Sequence, residues 1–447
     1  MSRPQFLVEG GLEPRMRLTH PAKALGKHIV IVVGGGFGGL NVAKALAHRR
    51  EVHVLLVDQR NHHLFQPLLY QVATAGLNPA DIALPIRGVF TGVENVEVHW
   101  ARVSRVNFAA QAVHIADSPV EIAYDTLVLA CGVQHSYFGH AEWEDFAPGL
   151  KTLEQATEIR RRILSAYEFA ENEGDPRKQA ELMTFVVVGA GPTGVELAGA
   201  IADISRTVLV KDFTRIDPLR TRVVLVEGGP RVLPAFAEPL SAKTERALKQ
   251  LGVEVRLNAM VTAINAEGVH IGAELIAARN AFWAAGVQAR TPALEPPPEM
   301  DRAGRVKITP QLTIPGRDDV FVIGDMAAGE ASPGKPLPGM APAAIQMGKH
   351  VARQILATLH GKPRRPFRYL DKGQMATIGK NKAIVEIGRI RFSGRLAWFT
   401  WLIVHIFFLI GFRNRVAVMA QWAWSYVFSK RGARLITDRE WRLRKNG

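Results

Sequence analysis

Two glycine-rich turns constrain this chain more than any other feature, because each follows a run of β-branched residues and opens a helix-like segment. The first lies in "HIVIVVGGGFGGLNVAKALA", which begins at His28. Ile29–Val33 form an unbroken apolar run, the mark of a strand buried on both faces of a parallel sheet. Gly34, Gly36 and Gly39 follow in the spacing G-x-G-x-x-G, with Phe37 and Gly38 filling the pattern, and helical periodicity starts at Leu40. A second apolar run, "EVHVLLVD", ends in Asp58, nineteen residues after Gly39. That βαβ setting makes a common glycine pattern specific. The glycines let main chain approach a pyrophosphate, the helix N-terminus faces it with free N–H groups, and Asp58 is placed to accept from ribose hydroxyls.

The pattern recurs in "LMTFVVVGAGPTGVELAGAIA". Phe185–Val188 read as the strand, and Gly189, Gly191, Pro192, Thr193 and Gly194 as the turn and helix start. Its second strand, in "TRVVLVEGG", ends at Glu227, 33 residues after Gly194, so an insertion near Ile204–Leu219 lengthens this unit. An acidic Glu227 favours a free 2′-hydroxyl over a 2′-phosphate, hence NADH over NADPH, although Arg231 stands four residues on. The fold class expected is α/β with two Rossmann-like domains. Two dinucleotides in one chain, FAD and a nicotinamide nucleotide, form a pair in which one reduces the other.

At 447 residues the chain is long enough for two or three domains. Cys131 is its one cysteine, which excludes an intramolecular disulfide and the dithiol chemistry of flavin-linked disulfide reductases. No Cys/His/Asp group has metal-ligand spacing, so no metal is expected; the His62–His63 pair is read as capping or lining a flavin pocket. The first 27 residues hold no apolar run of signal-peptide length and are expected to form a flexible extension to a cytoplasmic body.

The net charge is +15, and eleven Lys/Arg against two Asp/Glu from Arg391 onward place +9 of it in the last 57 residues. Within that basic tail, "LAWFTWLIVHIFFLIGF" at Leu396–Phe412 is 17 residues without a charge. As a helix it spans about 25 Å, short of a roughly 30 Å hydrocarbon core. Beyond Arg413 and Arg415, a second uncharged run, Val416–Ser429, has 14 residues and sets Gln421, Ser425 and Ser429 along one face. Trp398, Trp401, Trp422, Trp424 and Trp441 accumulate here, and tryptophan prefers the headgroup level while arginine meets anionic lipid. The tail therefore reads as an interfacial membrane anchor. The first run is apolar nearly all round, so one side is expected against protein, either the body or a second copy in a homodimer.

Several motifs resemble the two-dinucleotide-binding flavoproteins: the first glycine turn, "LVLACGVQ" with Gly132, "AFWAAGV" with Gly286, and "VFVIGDMA" with Asp325. "DQRNHHLFQPLLYQVATAGL" at Asp58–Leu77 and "GMAPAAIQMGKHVA" at Gly339–Ala352, with the aromatic C-terminus, make residues 28–430 similar to type II NADH:quinone oxidoreductases. The resemblance implies a discontinuous FAD domain (28–150 and 296–370), an NADH domain (151–295) and a C-terminal membrane-associating region (371–447). The proline-rich "TPALEPPPEM" at Thr291–Met300 is read as a linker between them. It also implies that Asp325 holds the ribityl chain, that the helix starting near Ala341 and Pro342 faces the flavin, and that Gln346 belongs to the quinone site. The first glutamine of the family's A-Q-x-A-x-Q motif is Pro342 here, a residue favoured in a helix's first turn. Glu196 is implied near the meeting point of nicotinamide and flavin, and two residues past Gly194 it also reads as a dipole partner on the first helical turn.

The function so implied is a membrane-associated NADH:quinone oxidoreductase at the cytoplasmic face of the membrane, without proton pumping and without a nucleic-acid partner. The alternative is a soluble FAD-dependent reductase whose basic surface meets an acidic, ferredoxin-like protein.

Overall fold

The computed structural model describes residues 7–8, 16–332, 334–428 and 432–437. Most of the expected N-terminal extension, Ser429 and Trp441 lie outside the described residues. The chain divides into two compact units, one from Met1–His63, Leu84–Gln134 and Val287–Asp371, the other from Leu64–Ala83, His135–Gly286 and Lys372–Gly447. Five helices shape the candidate sites: α1 (Phe37–Leu46), α2 (Pro192–Thr207), α3 (Ala341–Leu359), α4 (Arg395–Phe408) and α5 (Phe412–Phe428).

The first unit is built on a sheet whose strand order is Thr313–Ile314, Arg317–Val322, Thr126–Leu129, His28–Val33, Val52–Asp58 and Val96–Trp100. All neighbours run parallel except the first pair. Val30–Val32 and Val54–Val57 are wholly buried, and each such side chain contributes about 1.5–3 kcal/mol on leaving water. A second sheet joins Met16–Thr19, Val120–Ala123, Ala112–Ile115, Val103–Asn107 and Ala293–Glu295. Ala293–Glu295 pairs in parallel with Arg105–Asn107, so the stretch read as a linker is part of a sheet edge.

The expectation of a free N-terminal extension is corrected over its last dozen residues. Met16–Leu18 pair in parallel with Val120–Ile122, a partner a hundred residues away that no local pattern announces. His20 is then drawn beneath the segment: Glu97 accepts from Nε2 of His20 and of His53, 3.0 Å each, with the two rings stacked 4.1 Å apart. These hydrogen bonds, that from His20 foremost, hold the Glu97 carboxyl far below the usual carboxylate range. Nδ1 of His20 accepts from the Ala22 N–H, which puts the ring proton on Nε2. That nitrogen thus offers Glu97 a donor and has no lone pair left for an ion. The cluster is a hydrogen-bonded lock.

The second unit repeats the architecture with four parallel strands in the order Val253–Arg256, Arg222–Val226, Thr184–Val188 and Asn280–Trp283. The insertion after the glycine turn takes the form of the extended α2 and two 3-10 turns, Leu209–Lys211 and Pro218–Arg220. Glu171 holds it by accepting from the main-chain N–H groups of Thr214, Arg215 and Ile216.

Also in the second unit, Gln374–Thr377, Ala383–Ile387 and Ile390–Gly394 form an antiparallel meander against which α4 packs. Ala397 and Trp401 are buried on one side of α4, while Leu396, Phe399, Ile403 and Phe407 are more than half exposed on the other. A turn through Gly411, at φ +89°, leads to α5. Arg415 closes that turn by donating to the carbonyls of Leu409 (2.7 Å) and Phe407 (3.0 Å), so it caps α4 instead of facing lipid. Among the described residues no helix is long and apolar enough to cross a membrane.

The facing of α5 differs from the sequence reading. Gln421 donates to Asp81 (2.9 Å) and Asn414 to the carbonyl of Ala80 (3.3 Å), so these two polar side chains meet protein. Phe412, Val416 and Met419 point outward. Trp401 is 1% exposed and Trp422 donates to Gln71, which leaves Trp424, among the described residues of this region, as the tryptophan with a largely open side chain.

Candidate functional site

In the first unit Gly34 ends its strand at φ +106° and donates to Val57 O at 2.8 Å. A Cβ on Gly34 would collide with the Ala130 carbonyl, and one on Gly39 with the Gly34 carbonyl. Gly36 is the N-cap of α1 and has no side chain to cap it; a Cβ there would meet nothing. The first amides of α1 therefore look onto open space, as a pyrophosphate requires. Asp58 accepts from the N–H of Gly35 (2.5 Å) and of Arg60 (2.7 Å), one through each oxygen. The carboxylate thus braces the glycine turn and keeps lone pairs for ribose hydroxyls.

The second unit reproduces this bond for bond. Gly189 stands at φ +101° and donates to Val226 O at 2.7 Å, and a Cβ on Gly194 would collide with the Gly189 carbonyl. Gly191 caps α2 with no side chain and open space before it, and Pro192 occupies the first turn, where a missing N–H costs nothing. Glu227 accepts from Ala190 N–H (2.7 Å) and Gly229 N–H (2.8 Å). Arg231 is turned away, donating to Pro234 O at 2.8 Å. Gly132 and Gly286 also correspond, at φ +70° and +69°.

A further helix N-terminus lies in the first unit. Helix α3 starts at Ala341 with Pro342 in its first turn and no side-chain cap, as the sequence predicts. It crosses α1 so closely that a Cβ on Gly348 would collide with the Gly38 carbonyl. Asp325 sits in the 3-10 turn Gly324–Met326 and approaches Gly339, just ahead of α3. Gln346 spends its amide on the main chain of Leu370, donating to its carbonyl at 2.9 Å and accepting from its N–H at 3.0 Å. His63 is buried; its Nδ1 donates to Gly35 O at 2.9 Å, its ring meets Phe37 edge-on, and burial pushes it down to about 4. Neutral His63 thus lines the glycine turn. The Cys131 thiol, pushed up to about 12 by burial, is no nucleophile at neutral pH. The cradle, its two uncapped helix ends and Asp58 fit a flavin dinucleotide.

Glu196 proves to be the fifth residue of α2, past the first turn, which removes the dipole-partner reading. Its carboxyl is enclosed by protein, with only part of the residue reaching solvent, and burial pushes it up to about 8. The N–H of Thr377 donates to it weakly, at 3.4 Å. From Thr377 a chain of contacts leads outward: its hydroxyl meets Tyr70 OH (3.1 Å), Tyr70 OH accepts from Gln71 (3.0 Å), and Gln71 accepts from Trp422 on α5 (2.8 Å). Tyr70, Gln71 and Thr377 were not singled out by sequence; "LLYQVA" offered the first two only as part of a motif. His405, donating from Nδ1 to Trp401 O at 2.7 Å and stacked on Trp401, is pushed down to about 4 by burial and is neutral.

The chain matches the pyridine nucleotide-disulphide oxidoreductase family over residues 28–348 and the NDH2 C-terminal domain over 372–431. It is 42% identical over 428 residues to a type II NADH:quinone oxidoreductase of Mycobacterium tuberculosis, covering 93% of this chain and 91% of that protein. The enzyme of the same description from Haemophilus influenzae is 31% identical, over 79% of this chain and 86% of its own. Among solved structures, NDH2 of Plasmodium falciparum in complex with NADH superposes with a TM-score of 0.84 over 92% of this chain and 100% of that one, at 18% identity.

Proposed function

The chain belongs to the type II NADH:quinone oxidoreductases, and from that footing we propose that it oxidises NADH through a bound FAD and reduces a membrane quinone without moving protons across the membrane. The observation that carries the reading is the bond-for-bond duplication of an open dinucleotide cradle at Gly34–Asp58 and Gly189–Glu227. Gly36, Phe37, Gly38, Gly39, Gly132, Asp325, Ala341 and Pro342 would hold FAD; Gly191, Pro192, Thr193, Gly194, Glu227 and Gly286 would hold NADH. FAD, when bound, supplies an acceptor for a hydride and a donor of two electrons. Gln346, through its two hydrogen bonds to the Leu370 main chain, would position the main chain of the acceptor site. A ferredoxin-like acceptor is not favoured, since residues 372–431 match the NDH2 C-terminal domain.

Reducing a quinone to a quinol takes two electrons and two protons, and a hydride brings both electrons with one proton. Glu196, protonated below about pH 8, is suited to hold the second proton. The test of the whole reading uses the full chain purified with its flavin. FAD should be released on denaturation, and NADH should be oxidised with a short-tailed quinone analogue as acceptor. NADH oxidation that proceeds with ferricyanide but with no quinone would remove the quinone from the proposal.

Glu227 is the residue proposed to select NADH. Glu227→Gln keeps the bulk and removes the charge that opposes a 2′-phosphate, so the ratio of kcat/KM for NADPH to that for NADH is expected to rise by about ten-fold, or ~1.4 kcal/mol. An unchanged ratio would assign the preference elsewhere.

The outward faces of α4 and α5, with exposed Arg395 and Arg413 beside them, are proposed to seat the enzyme on anionic lipid at the cytoplasmic face. Ile403 and Phe407 are each 69% exposed on that face. Replacing both by Glu is expected to release the protein from anionic phospholipid vesicles. Long-tailed quinone reduction should fall on the order of 100-fold, since each of the two changes withdraws a side chain worth about 1.5–3 kcal/mol when buried, while ferricyanide reduction is retained. Equal loss with both acceptors would mean that these helices are needed for the fold.

A further inference from the structure

Two loops leave the C-terminal ends of neighbouring strands in the second unit, one after Val226 and one after Arg256. They are stitched together by main chain: Asn258 N–H donates to Gly229 O and Ala259 N–H to Glu227 O, both at 2.9 Å. Asn258, at φ +53°, turns the second loop so that the next side chain but one, Met260, rises beside the first. Met260 is 69% exposed. Its Cε and Sδ lie 3.1 and 3.6 Å from where a Cβ on Gly228 would start. A long apolar side chain is thus laid over bare backbone, one residue from the carboxylate proposed to read the ribose.

Resting on the NADH reading, we propose that Met260 is the platform on which the adenine ring of the nicotinamide nucleotide lies. A purine face is flat and polarizable, and thioether sulfur makes favourable contacts with such rings. The glycine at 228 leaves the room: any side chain there would displace the Met260 tip. The corresponding place in the first unit follows the same bond, Ala101 N–H to Asp58 O at 2.9 Å, and carries the exposed Arg102. One fold therefore offers its dinucleotide a planar cation at this place and the other a soft neutral surface, which holds a nucleotide that must leave at every turnover less firmly.

The test compares two donors, NADH and reduced nicotinamide mononucleotide, which lacks the adenosine half, on the flavin-loaded full chain with ferricyanide as acceptor. Met260→Ser is expected to raise KM for NADH on the order of three- to ten-fold, with kcat and the mononucleotide kcat/KM unchanged. Gly228→Ala should raise KM for NADH in the same direction by pushing Met260 aside, and Met260→Leu, which keeps the apolar bulk but lacks the thioether, should fall between wild type and Met260→Ser. No change in Met260→Ser, or an equal loss with both donors, overturns the platform while wild-type NADH oxidation keeps the NADH reading. A wild-type chain that oxidises neither donor overturns both.

Discussion

Gly39→Val is expected to strip the flavin from the protein, whereas Gly194→Val is expected to leave the flavin in place and abolish NADH turnover. In each case the new side chain must start inside a carbonyl, that of Gly34 or of Gly189, so the first turn of α1 or α2 has to back away from its strand. The amides that face the pyrophosphate go with it. A displacement of about 1 Å costs on the order of 100-fold. Flavin per protein and NADH oxidation with ferricyanide are the two readouts, with the milder Gly39→Ala and Gly194→Ala as companions should either valine variant fail to fold. If both variants lost flavin alike, the assignment of one cradle to each dinucleotide would be wrong.

The second large effect is expected at Glu196. Burial pushes its carboxyl from the usual carboxylate value of 4.5 up to about 8, so the protonated form prevails at neutral pH. Quinone-linked kcat should fall above about pH 8. Glu196→Gln should slow turnover by about 100-fold, the low end of general acid catalysis, abolish that alkaline limb and leave flavin content unchanged. Stability supplies an independent reading. Because the folded-state value is raised, the group's favourable contribution is full below about pH 4.5 and is lost as pH rises through about 8. The Gln variant, which has no proton to lose, should therefore gain Tm relative to wild type between those pH values. An alkaline limb that persists in Glu196→Gln would assign the proton to another group.

What the sequence makes legible here is local and periodic. The two cradles could be found because a glycine spacing, a β-branched run and a strand-ending acid all lie within one βαβ unit, and the helix start at Ala341–Pro342 because proline marks first turns. Facing and long-range pairing were not legible. Trp401 and Trp422 look like interfacial residues by type, yet one is buried against the meander and the other is tied to Gln71. Arg415 looks like a lipid contact and instead closes a helix end. Glu196 was misplaced because α2 begins at Pro192, which puts the carboxyl one turn deeper than a first-turn residue. His20, His53 and Glu97 come from three separate segments, so no spacing could announce their meeting. Likewise, Leu64–Ala83 belongs with the unit that contains α2 although it follows the first fold directly in sequence.

The crossing of α3 over α1 at Gly348 and Gly38 has no counterpart, among the described residues, at the start of α2, where Gly199, further along the helix, packs on Ile378 and Gly379. In the first unit two uncapped helices are therefore braced against each other, while in the second the helix packed against α2 is the short Leu69–Ala73. On the proposed reading, a dinucleotide on the braced pair would leave only when the cradle itself moves, and one on the start of α2 by breaking its own contacts. The same turn, copied within one chain, would on that reading serve in one place as the mount of a prosthetic group and in the other as the berth of a passing substrate.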